Sequence, residues 1–173
     1  QILHKEELLQ IAINGCLDMV QQGAQGIFVH CNSLSGAINI DKLKKEVPVC
    51  VVTPLDIYKL CAQTYSRLSV LAANGQSLCA IEHTLLDANP DCMVFGAGLL
   101  PLVVAIESGA SSESIYASLK LKQLTDCFEA IGCEALILGC THFPYIAKEI
   151  QKHVSIEVID PSGQMLEILK NAL

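Results

Sequence analysis

Two short stretches hold the residues best suited to chemistry. "EALILGCTHFPYI", residues 134–146, runs four apolar residues into Gly139 and then brings Cys140, Thr141 and His142 together before Pro144. "FVHCNS", residues 28–33, ends a similar apolar run with Cys31, Asn32 and Ser33. A thiol beside an imidazole can exchange a proton near neutral pH. Hydroxyls and a carboxamide both donate and accept hydrogen bonds, which suits them to holding a polar ligand.

The two stretches belong to an internal repeat. "GAQGIFVHCNS" (23–33) and "GCEALILGCTH" (132–142) align without a gap, each with a cysteine eight residues after a glycine. Helix–strand units recur throughout α/β proteins, so the rhythm alone is weak evidence; a cysteine at the same strand end in both copies is stronger.

Periodicity supplies the elements that must position these residues. In residues 5–22, Leu8, Leu9, Ala12, Ile13, Cys16, Leu17 and Val20 share a helical face, and Gly23 ends the helix. Strands are predicted at 26–30, 49–52, 68–73, 92–95, 135–139 and 156–160, and helices at 34–46, 55–65, 76–88 and 114–130. A further helix follows Pro144 and another closes the chain. Residues 96–113 read as a Gly/Pro-broken segment and a Ser-rich turn. The alternation predicts an α/β fold with mainly parallel sheets. In such sheets ligands bind beyond the carboxyl ends of the strands, where both cysteines fall.

Composition narrows the function. A hydrophobic share of 51% over 173 residues marks a buried-core protein. The longest apolar stretch, 93–106, contains Pro101 and falls short of a membrane span. No basic n-region with a cleavage site opens the sequence, so no secretory signal is expected. A net charge of −7, a single arginine (Arg67) and no tryptophan argue against a nucleic-acid surface. Nine cysteines without a C-x-x-C pair fit a reducing, cytoplasmic compartment in which most thiols are small inert hydrophobes. His30 is expected to pack or bond locally, and His4, His83 and His153 read as ordinary helix or loop histidines.

The residues leave alternatives open. Cys31 could be structural, since isolated cysteines at strand ends commonly are. A metal site built from Cys31, Cys140 and His142 matches no common zinc spacing. A Cys-His nucleophile needs an orienting third group and an oxyanion hole, and the sequence points to neither. No metal and no cofactor are expected.

"LILGCTHFP" resembles the second signature of glutamate racemases, within the aspartate/glutamate racemase superfamily, and "FVHCNS" is similar to their first. The likeness continues through "VPVCVVTPL", "LSVLAANG" and "VIDPSG" across nearly the whole chain. The resemblance implies cofactor-independent racemisation of an acidic amino acid, glutamate foremost. Cys31 and Cys140 would be the acid/base pair and His142 would assist Cys140. Asn32, Ser33, Thr141 and His142 would hold the substrate, with Glu107 as a supporting carboxylate. It also implies two pseudo-symmetric Rossmann-like lobes around a cleft: residues 1–53 plus 158–173, and residues 54–157.

Several departures accompany the likeness. Nothing here resembles the family's opening Asp-Ser-Gly strand or its Tyr-Gly segment, so the chain reads as a fragment or a natural short form. The first lobe is then incomplete, Cys31 lacks its usual carboxylate partner, and an open sheet edge would invite a homodimer. Ala73 and Gln76 stand where the family commonly has threonines. A decarboxylase or isomerase of a small carboxylic acid, and a non-catalytic remnant, are the competing readings; retention of both cysteines argues against the decarboxylase.

Overall fold

The computed structural model describes residues 4–173. Ten helices and six strands follow one another in the expected α/β alternation among them. The first unit is α1 (Lys5–Gln21), β1 (Gly26–Phe28), α2 (Asn32–Ala37), α3 (Ile40–Glu46) and β2 (Cys50–Val52). α4 (Pro54–Thr64), β3 (Arg67–Ala72), α5 (Gly75–Ala88) and β4 (Met93–Gly98) come next. The remainder is α6 (Leu100–Glu107), α7 (Ser112–Ser118), α8 (Leu121–Ala130), β5 (Ala135–Gly139), α9 (Pro144–Gln151), β6 (Glu157–Ile159) and α10 (Pro161–Asn171).

The strands form two sheets, β1-β2 and β4-β3-β5-β6, and every pairing is parallel. Successive residues of the central strands point to opposite faces, as a two-residue period demands. Leu68, Val70 and Ile137 enter a core with Ile57, Tyr58, Ile81 and Met165 from α4, α5 and α10. Leu71, Leu136 and Leu138 enter another with Leu102, Ile115, Phe128 and Ile146 from α6 to α9. Burial on both faces explains why β5 is apolar throughout. A third core joins Leu9, Ile13 and Cys16 of α1 to Ile27, Leu43 and Val51. α10 packs against β1, β2 and α4.

The repeat extends to backbone geometry. Gly23 and Gly132 both have positive φ, +98° and +82°, the conformation that ends a helix at low cost only for glycine. Gly23 N–H bonds Val20 O at 2.9 Å and Ala24 N–H bonds Met19 O at 3.0 Å; Gly132 to Glu129 and Cys133 to Phe128 repeat both distances. Each copy therefore launches its strand, and its cysteine, from the same turn.

Three expectations need correction. The helix predicted over 34–46 is two helices, because Ile38 turns extended into the core and Asn39 caps α3 by accepting from Lys42 N–H at 2.9 Å. The helix predicted over 114–130 breaks at Lys120, whose φ of +55° interrupts the helical path. Within the segment read as Gly/Pro-broken lies α6, with Pro101 in its first turn, where a missing N–H is harmless. Among the described residues, no helix is long and apolar enough to cross a membrane.

Candidate active site

Parallel pairing puts the carboxyl ends of the strands in each sheet on one side, and the candidate residues follow those ends. Cys31, three residues beyond β1, caps α2: its sulfur accepts from Leu34 N–H at 3.4 Å. The thiol is exposed.

Asn32 and Ser33 diverge immediately afterwards. Asn32 is buried, and its side-chain oxygen accepts from the hydroxyl of Tyr58 on α4. Among the described residues, its two amide N–H donors are free of side-chain partners. Ser33 is exposed and pairs with Ser77, Oγ to Oγ at 2.7 Å, while Ser77 N–H bonds Asn74 Oδ1 at 2.9 Å as part of the α5 cap. Ser33, Asn74, Gln76 and Ser77 line a cavity of about 490 Å³. Neither Cys31 nor Cys140 is among its lining residues, so this concavity does not contain the two thiols.

Cys140 directly follows β5 and is buried. Burial pushes its thiol up; a hydrogen bond from the His142 backbone draws it down, and the Cys31 charge pushes it up again. The Thr141 side chain lowers it and Glu107 raises it further. The contribution from Cys31, smaller than that of burial, is that of a like charge at the other strand end.

Beside Cys140 stand His142 and Glu107, the two residues that the family resemblance implied as its supports. Cys140 Sγ lies 3.6 Å from His142 Nδ1, and His142 Nε2 lies 3.0 Å from Glu107 Oε1 at the end of α6. What the structure adds is the partner: Glu107 orients the His142 ring. The structure thus brings Cys140, Thr141, His142 and Glu107 together, while Asn32 turns to Tyr58 and Ser33 to Ser77.

Sequence reasoning missed Tyr58. Tyr58 is fully buried; burial raises its pKa, with further upward pushes from the charges of Cys61, Asp160 and Cys140. Its only sequence signal is a tyrosine one turn into the helix opened by Thr53-Pro54. His30 packs locally, its ring 5.5 Å from that of Phe28, and adds a distant hydrogen bond: its Nε2 meets Ser162 Oγ at 2.9 Å, and Ser162 in turn donates to Asp160 Oδ1 at 2.7 Å. That joins the residue before Cys31 to the start of α10.

Similarity to known proteins covers nearly the whole chain. The family described as Asp/Glu/Hydantoin racemase matches residues 5–165. A glutamate racemase of Limosilactobacillus reuteri (strain DSM 20016) is 29% identical over 178 aligned residues, 98% of this chain and 64% of that protein. One from Pseudomonas aeruginosa is 29% identical over 160, covering 90% and 60%. The chain thus spans less than two thirds of the length of these curated relatives. Among solved structures, glutamate racemase from Francisella tularensis subsp. tularensis SCHU S4 in complex with D-glutamate superposes with a TM-score of 0.73 at 21% identity, over 98% of this chain and 65% of that one. Allantoin racemase from Klebsiella pneumoniae gives 0.68 at 18%, over 99% and 69%. At such identities these two likenesses establish the fold.

Proposed function

Because the chain belongs to the Asp/Glu/hydantoin racemase family, we propose that it inverts the α-carbon of an acidic amino acid, glutamate foremost, by proton transfer between two thiols and without a cofactor. Cys31 and Cys140 are the acid/base pair. One, as thiolate, removes the α-proton; the other, as thiol, returns a proton to the opposite face, and the roles exchange for the reverse reaction.

The observation that carries this reading is the asymmetry between the thiols. Cys31 is exposed, and its sulfur is oriented by the N–H it accepts from its own helix. Cys140 is buried and pushed towards the protonated form, in part by Cys31 itself. A two-base inversion calls for one sulfur that accepts a proton and another that donates one, and a reachable thiol beside a buried, protonated one offers that division of roles. The His142–Glu107 pair supports the reverse direction by accepting and returning the Cys140 proton. The Asn32 amide, Ser33 and Thr141 are the groups on hand for the substrate's carboxylate and amino nitrogen.

A carbon acid as weak as an amino-acid α-proton demands more than general base catalysis, which supplies roughly 10²–10⁴-fold. Exclusion of water around Cys140 and oriented donors on the developing carbanion must contribute the rest.

The test is incubation with L-glutamate, and separately L-aspartate, in heavy water. The reading predicts α-deuterium in the recovered amino acid and appearance of the D-enantiomer. A folded sample that exchanges neither substrate would favour the non-catalytic alternative.

A further inference from the structure

A thiol outside both strand-end motifs stands where reagents can reach it. On α5, Cys79 and His83 lie one helical turn apart, both exposed, with Cys79 Sγ 3.6 Å from His83 Nδ1. Both line the cavity of about 490 Å³, together with Lys5 at the start of α1 and with Ser33 and Gln76. The cavity thus holds a sulfur nucleophile, a base within reach of its proton, and a cation. Cys127 on α8 supplies a contrast: it is also exposed, but the residues four positions either side are Gln123 and Ile131.

We propose that Cys79 and His83 form a second reactive-thiol site, open to small disulfides that carry carboxylates, and that a group attached there occludes the cavity beside Ser33. His83, with Nδ1 unprotonated, takes the Cys79 proton. The thiolate sulfur forms a bond to one sulfur of the disulfide as the original S–S bond breaks, and the departing thiolate takes the proton back from His83. One disulfide is exchanged for another, so no further oxidant is needed. Lys5 faces the reagent's carboxylates. Ser33, assigned above to the substrate, lines the same cavity, so the adduct competes for the space beside it. The reactivity is independent of the racemase reading; only the consequence for turnover rests on it.

Intact protein is treated with excess oxidised glutathione at neutral pH, and peptide mass spectrometry follows Cys79 and Cys127. Cys79 is expected to be modified about fivefold faster than Cys127, the scale of one hydrogen bond to a thiolate. His83→Gln should bring the two rates within about twofold. Equal rates in the unaltered protein, or an undiminished lead for Cys79 in H83Q, would overturn the site. Lys5→Gln, at an exposed position, should slow glutathione disulfide but spare the uncharged bis(2-hydroxyethyl) disulfide; unchanged rates with both would remove Lys5 from it. Cys31 is mapped as well, because it is exposed; among molecules with Cys31 unmodified, turnover of L-glutamate should fall as Cys79 is modified, and Cys79→Ser should remove that part of the loss. Full activity of the modified protein would contradict the occlusion while leaving the reactivity result to stand on its own data.

Discussion

Glu107 and His142, 35 residues apart in sequence, meet at 3.0 Å between Oε1 and Nε2. The contact fixes which ring nitrogen faces the carboxylate and leaves Nδ1 towards Cys140. It orients the imidazole that lies two residues beyond the thiol.

Glu107→Gln should therefore lower kcat about tenfold while leaving KM nearly unchanged, because Glu107 acts through His142 and not on the substrate. A double-mutant cycle with His142→Gln separates positioning from a structural effect. Strongly non-additive losses are expected, measured as initial rates of D-glutamate formation.

Tyr58→Phe removes the donor to Asn32 Oδ1 inside a buried pair. An unsatisfied buried carbonyl costs about 1–3 kcal/mol. The midpoint of urea unfolding should shift down accordingly. KM should also rise, since Asn32 then loses the contact that fixes its amide.

Alkaline pH should destabilise the protein. Burial pushes Cys61 up to about 11 from an ordinary 9.0, and Cys16, Cys92, Cys133 and Cys140 move in the same direction, also mainly through burial. Above the ordinary value the unfolded chain holds fewer protons than the folded one, so stability falls as pH rises through the folded values. The slope is about 1.4 kcal/mol per pH unit for each thiol still protonated. Urea unfolding in the presence of reductant should show a plateau below about pH 9 and a decline above it.

Much of the fold is written in local pattern. Gly23 and Gly132 mark helix ends from sequence alone, and the apolar run before Cys140 predicts a strand buried on both faces. The Cys140–His142 contact follows from two-residue spacing. What is not legible depends on partners the chain brings from afar: Glu107 to His142, Tyr58 to Asn32, and Ser162 to His30 across 132 residues. The helix breaks at Asn39 and Lys120 escaped for a different reason. Helical periodicity continues through both, and a local side-chain cap or a single left-handed residue overrides it. Cys79 and His83 read as ordinary because nothing in an i,i+4 pair says that a cavity lies beside it.

The most direct measurement is D-glutamate production from L-glutamate by the unaltered protein beside Cys31→Ser and Cys140→Ser, each checked for folding by circular dichroism. Transfer between two thiols predicts that either substitution alone abolishes racemisation. Near-full activity in either variant would contradict it.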